Sequence, residues 1–247
     1  MTNTPQLNLK NTEVKVYSDV DLLAHAAATL LSNRLSSTKG DIAVSLAGGS
    51  TPKRLYELLA SPTYLEQIPW KRVHWFWGDE RFVPLDDPQS NFSMFKTTVL
   101  SRAPVPATNI HPIPTVGLTP EIAADVYAQE LQRFHGEKVL SAKNPLFGVV
   151  ILGLGEDGHT ASLFPGSPAL KERSRWATCA NLDQAVPRIT LTYPALESCH
   201  DCLFLVTGSA KRTILRSIFR GDIFPATRLK PQGQCTWLLD QAAAPDG

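Results

Sequence analysis

The sequence predicts an α/β fold in which a mostly parallel sheet is flanked by helices. Short apolar runs rich in β-branched and aromatic residues alternate with helical patterns along the chain. Polar, glycine-containing segments fall where several of those runs end, as ligand loops do at one edge of a parallel sheet. A length of 247 residues with 43% hydrophobic content suits one large core with no need of a staple.

Residues 42–47, 73–77, 146–152, 189–192, 203–207 and 236–239 read as strands. Apolar residues three or four apart mark helices over 19–34, 52–60, 91–100, 120–134 and 210–219. Pro52 suits a first helical turn behind the potential caps Ser50 and Thr51, and Asn91 is placed to cap the helix that follows it. Trp75 and Trp77 are expected in the core. The Pro-rich stretches 103–120 and 224–233 read as surface connections, so 1–247 is expected to form a single domain with short frayed termini, the tail AAAPDG among them.

The 24 Lys plus Arg and 23 Asp plus Glu leave a net charge of +1, so bulk charge gives no sign of a nucleic-acid or membrane partner. The longest apolar run, 146–154, is about half of a bilayer span. The N-terminus lacks a basic start followed by an apolar stretch, so a cytoplasmic protein with neither membrane nor nucleic-acid partner is expected. Cys199 and Cys202 form a CxxC that suits a redox pair or half of a zinc site, but Cys179 and Cys235 lack a paired spacing. Cys202 opens the apolar run CLFLVTG, so packing explains it, and no metal or cofactor is expected. The oligomeric state is open, with a monomer compatible.

Four segments carry candidate chemistry. In SLAGGSTPKRLYELL, Gly48 and Gly49 allow close backbone approach, and Ser50, Thr51 and the free amides of a helix start suit a phosphate. A capped strand-to-helix turn is the plain alternative. In WGDERFVPLDDPQSNF, the charges Asp79, Glu80 and Arg81 read as a solvated loop unless a site recruits them. GLGEDGHTASLFPG contains GxGxxG at Gly153, Gly155 and Gly158, but Pro165 and Gly166 arrive too soon for a dinucleotide-binding helix. Asp157 and His159, two apart, can share one side of an extended segment, where the carboxylate orients a base that titrates near neutrality. An Asp-Gly turn with a capping histidine is the competing reading. Arg188 and Lys211 each pass for surface charges, but a phosphate dianion needs two such donors converging. Ser162 lacks the GxSxG elbow of a nucleophile.

Together and in this order, SLAGGSTP, WGDERFVPLDDPQSNF, GLGEDGHTASLFPG, PRITLTYPAL and TGSAK resemble the 6-phosphogluconolactonase family over nearly the whole chain. The resemblance implies a Rossmann-like doubly wound fold shared with the glucosamine-6-phosphate deaminases, and a small phosphorylated sugar lactone as substrate. It implies His159 as the base that activates water, while the pairing of His159 with Asp157 is read from their spacing. Gly48, Gly49, Ser50, Thr51, Arg188 and Lys211 are expected to hold the phosphate. Arg81 contributes there or at the sugar end, and Asp79 has a supporting role. The alternatives are a deaminase and a non-catalytic sugar-phosphate-binding module. The deaminases resemble this chain through DGH but continue GHIAFNEP, and Phe164 stands here in place of their Glu. A binder has no use for a poised base.

Overall fold

The computed structural model describes residues 11–180 and 185–245. In chain order the elements are β1 (Thr12–Tyr17), α1 (Val20–Ser37), β2 (Ile42–Leu46), α2 (Ser50–Leu59), α3 (Pro62–Leu65), β3 (Val73–Trp77), β4 (Asp79–Arg81), α4 (Asn91–Phe95), β5 (Ile110–His111), α5 (Pro120–His135), β6 (Phe147–Leu152), β7 (Ala177–Ala180), β8 (Arg188–Leu191), α6 (Tyr193–Glu197), β9 (Cys199–Val206), α7 (Arg212–Phe219), α8 (Pro225–Arg228) and β10 (Gln234–Asp240).

Seven strands form a wholly parallel sheet in the order β1-β10-β9-β6-β2-β3-β5. Every residue of β2 and β6 is buried, which requires cover on both faces and explains why these strands are unbroken apolar runs. From β2 the chain winds outward to β3 and β5, and from β6 it winds the other way to β9 and β10. The switch point of this doubly wound sheet therefore lies between β2 and β6, where a crevice opens past the strand ends.

Helix α1 starts where Asp19 accepts the Leu22 amide (2.9 Å), and its buried stripe runs through Leu23, Ala27, Leu31 and Leu35. Helix α5 starts at Pro120 behind the Thr119 cap and stops at Gly136, which is left-handed.

The structure departs from the sequence reading in five places. The strand expected at 189–192 is β8, and it joins a separate antiparallel sheet ordered β4-β8-β7 rather than the parallel one. The charged segment Asp79–Arg81 is strand β4 of that sheet. Ser90, not Asn91, caps α4, because its hydroxyl accepts the Ser93 amide (3.1 Å); the helix then widens to a π-turn over Lys96–Leu100. Helix α2 begins at Ser50, with Gly49 as its cap and no capping side chain, because the Thr51 hydroxyl turns to that of Thr207 (2.6 Å). The tail is packed rather than frayed at Ala243, which is fully buried and donates its amide to the Asp240 carboxylate (2.8 Å). The N-terminal fraying expected before residue 11 and the last two residues lie outside the described part. Cys199 and Cys202 are free, buried thiols of β9, packed as expected.

Two tyrosines close the sheet at its C-terminal rim. The Tyr56 hydroxyl donates to the Ala47 carbonyl (2.8 Å) and accepts the Ala47 amide (3.0 Å). Tyr127 does the same for Trp77, donating to its carbonyl (2.9 Å) and accepting its amide (2.7 Å). Burial pushes both phenols far above their ordinary value, so they remain protonated donors. At the edge of the sheet, His111 Nδ1–H donates to Glu130 (2.9 Å), which leaves His111 Nε2 to accept from His74 Nδ1 (2.9 Å).

Tyr127→Phe should cost about 1–3 kcal/mol in urea unfolding, the penalty for orphaning buried backbone groups; an unchanged midpoint would show that Trp77 finds other partners. Burial lowers the pKa of His74 and of His111, His74 being lowered further by His111 and both shifts opposed by carboxylates. The folded chain thus resists protons that the unfolded chain takes up below the ordinary value of 6.5. The melting temperature should fall as pH drops through that value, and a level profile there would remove the pair as a stability determinant.

Candidate active site

Four loops meet at the C-terminal rim: Gly48–Gly49 after β2, Gly78–Arg81 after β3, Gly153–His159 after β6 and Gly208–Lys211 after β9. They enclose a cleft of about 210 Å³ lined by Gly48, Gly49, Asp79, Arg81, His159 and Lys211 of the expected set. Asn91, Gly153, Gly155 and Ala161 complete much of its wall. Ser50, Thr51, Asp157 and Arg188 are not in that lining, although each adjoins it. Ser50 opens α2, whose first amides carry no side-chain cap. Arg188 is the cross-strand partner of Arg81.

The 153–159 loop folds onto itself. The Gly155 amide donates to the His159 carbonyl (2.8 Å), the Gly158 amide to the Gly155 carbonyl (3.1 Å), and the Thr160 hydroxyl to the Gly153 carbonyl (2.9 Å). The Ala226 amide from α8 braces the Gly158 carbonyl (3.0 Å). Within this frame Asp157 Oδ1 lies 2.5 Å from His159 Nδ1 and accepts the His159 amide at 3.1 Å. Burial alone would raise the pKa of Asp157, but the His159 amide and ring hold it below the ordinary carboxylate value. An ionised Asp157 keeps the proton on Nδ1 and leaves Nε2 as the basic nitrogen. The Phe164 ring packs on the imidazole with centroids 4.5 Å apart. Gly155 is required here by close approach, since a Cβ on it would lie 2.0 Å from His159 Nδ1 and 2.6 Å from Asp157 Oδ1.

The opposite wall is cationic. Burial and the Arg81 charge pull the pKa of Arg188 down, with Asp79 and Glu80 opposing. Asp79 Oδ2 accepts the Ser162 hydroxyl (2.6 Å), which ties β4 to the histidine loop and leaves Ser162 buried. Among the described residues no group of three or more His, Cys, Asp or Glu is placed to hold a metal, and no helix is long and apolar enough to cross a membrane.

Two residues of the site escaped the sequence reading. Glu80 looked like one charge of a solvated loop, yet it is 1% exposed and accepts four hydrogen bonds. Asn91 looked like a cap and instead lines the cleft. The local signal for Glu80 was the outward–inward–outward alternation of Asp79-Glu80-Arg81 as a strand.

The fold and cleft define an α/β protein whose rim cleft, at the sheet's switch point, brings His159 of a histidine–carboxylate pair together with Arg81 and Lys211. The family model for glucosamine-6-phosphate isomerases/6-phosphogluconolactonase matches residues 18–237, and the chain belongs to that family. It is 40% identical over 237 residues to a 6-phosphogluconolactonase of Nostoc sp., covering 93% of this chain and 96% of that one. The crystal structure of 6-phosphogluconolactonase from Thermotoga maritima superposes with a TM-score of 0.78 at 34% identity, covering 93% of this chain and 100% of the other. A monomeric glucosamine-6-phosphate deaminase matches with a TM-score of 0.78 at 21% identity over 94% of this chain and 98% of its own, a likeness of fold.

Gly155→Ala should displace the His159–Asp157 pair and lower kcat by about 100-fold, the lower range of general-base effects, with circular dichroism unchanged; wild-type turnover would show that the loop yields without loss of function.

Proposed function

We propose that this chain hydrolyses 6-phospho-D-glucono-1,5-lactone to 6-phospho-D-gluconate in the oxidative pentose phosphate pathway, with His159 activating water. The observation that carries the reading is that His159, hydrogen-bonded to Asp157, lines one small cleft together with Arg81 and Lys211. The relatives named 6-phosphogluconolactonase support the substrate.

In this mechanism the Gly48–Gly49 turn and the start of α2 at Ser50 and Thr51, together with Arg188 and Lys211, receive the phosphate, with Arg81 beside them. His159 Nε2 takes a proton from water and the hydroxide adds to the ester carbonyl. The tetrahedral adduct then collapses by breaking the bond to the ring oxygen, which takes the proton from His159. Asp157 stabilises the imidazolium between these steps, and general-base catalysis of this kind contributes about 100- to 10,000-fold. A lactone is an activated ester, so no covalent nucleophile is needed. We take residues 1–247 as one lactonase domain acting in the cytoplasm.

Phe164 favours this reading over deamination. Opening an amino-sugar ring and moving a proton between neighbouring carbons needs more than one acid/base group. The side chain packed on His159 is a phenyl ring with none to offer.

The direct test supplies the purified chain with freshly made 6-phosphogluconolactone and follows proton release against the spontaneous rate, with ammonia release from glucosamine 6-phosphate measured in parallel. His159→Asn should lower kcat by at least about 100-fold with little change in KM; near-normal turnover removes His159 from the role of base. Arg188→Ala and Lys211→Ala should each raise KM about tenfold or more while kcat changes less. Unchanged KM in both would end the phosphate assignment.

A further inference from the structure

The cleft lies between the Gly48–Gly49 turn and the Asp79–Arg81 strand, and a side chain from the start of α4 spans the two. Asn91 Nδ2 donates to the Asp79 carbonyl (2.9 Å), while its Oδ1 lies so close to Gly48 that a Cβ there would sit 2.0 Å away. Asn91 is in turn held from below. Its amide and that of Arg81 both donate to Glu80 Oε1 (2.8 Å each). The Phe92 amide (2.8 Å) and the Ser90 hydroxyl (3.0 Å) donate to Glu80 Oε2. Arg81 Nη1 closes the same connection by donating to the Gln89 carbonyl (2.6 Å).

Glu80 is 1% exposed and forms no salt bridge among the described residues; its donors are three backbone amides and a hydroxyl. Burial pushes its carboxyl up and the four donors oppose that shift. Burying a carboxylate without a cation is costly, and closing a loop needs no such group. What this carboxylate does that a neutral acceptor cannot is gather donors from both ends of the 81–90 connection onto two oxygens at once. Of the four residues it gathers, Arg81 and Asn91 line the cleft.

We propose that Glu80 is a positioning residue of this site, acting through Arg81 and Asn91 to set the distance between the Gly48–Gly49 turn and the cationic wall, and so the seat of the substrate phosphate. The proposal rests on the lactonase reading of the cleft. Removal of the Glu80 charge loosens Arg81 and Asn91 together, and so weakens ligand binding before it slows proton transfer at His159.

The test compares wild type with Glu80→Gln, Asn91→Ala and the double variant. Each is measured for kcat and KM with fresh 6-phosphogluconolactone, for the calorimetric Kd of the product 6-phosphogluconate, and for urea unfolding. Gln keeps the volume but turns one acceptor into a donor that faces other donors. KM and Kd should each rise about tenfold in Glu80→Gln with kcat within about threefold, and the double variant should bind no worse than Glu80→Gln, because coupled residues are not additive. A lowered unfolding midpoint with unchanged KM and Kd, or effects that multiply in the double variant, would overturn the proposal. Should Glu80→Gln fail to fold, Glu80→Asp, which keeps the charge and shortens the reach, should show the same rise in KM and Kd at smaller size; wild-type values there would overturn it equally. A wild type that binds 6-phosphogluconate without turning over the lactone removes the lactonase reading and leaves Glu80 judged on Kd. Binding of neither removes both.

Discussion

Every backbone amide and carbonyl at the C-terminal rim of a sheet buried on both faces has to find a partner as the chain leaves the ladder, and the rest of this structure is arranged around that need. Leu46 and Trp77, the last residues of β2 and β3, are buried. Tyr56 and Tyr127 therefore supply the hydroxyls that take up Ala47 and Trp77. Gly78 is satisfied by donating to Leu46 and accepting from Leu191, which anchors the small sheet to the large one. At the far side, Asp240 accepts the Gly208 amide (3.0 Å) and so holds the loop that leads to Lys211. These bonds fix the backbone from which the cleft is built.

Charge is divided across the cleft in a way that follows from the same economy. The carboxylates near it are each engaged: Asp79 by Ser162, Asp157 by His159, and Glu80 by four donors. None of the three neutralises the cationic side by a salt bridge among the described residues. Arg81 and Arg188 stand opposite each other across β4 and β8, where burial and then the Arg81 charge lower the pKa of Arg188 against the opposing Asp79 and Glu80. The histidine side is quieter, with the hydrogen-bonded His159–Asp157 pair and the Phe164 ring packed on the imidazole.

Much of this was legible along the chain, and for a physical reason. A strand buried on both faces has to be apolar without interruption, so Gly48, Gly78, Gly153 and Gly208 announce themselves as the points where such runs stop. The order of those stops places Gly49, Asp79, His159 and Lys211 at one rim as soon as the strands are parallel. The Asp157–His159 pairing was legible because two residues of one loop need no long-range partner. The misreadings share the opposite character. Glu80 is charged and flanked by charges, and only Ser90, Asn91 and Phe92 returning from the next helix make its burial tolerable. Ser50 and Thr51 read as caps because nothing nearby competes for the Thr51 hydroxyl; the competitor is Thr207, more than half the chain away.

The sequence by itself determined the α/β class, the four rim loops and the histidine–carboxylate pair, all of which depend on local periodicity or on neighbours within a few residues. Only the tertiary structure decided that 188–191 belongs to a second, antiparallel sheet, that Arg188 stands opposite Arg81, and that Glu80 and Asn91 brace the cleft. Those outcomes depend on which donors arrive beside a buried acceptor. Partners so far apart in the chain meet only when the whole sheet has assembled.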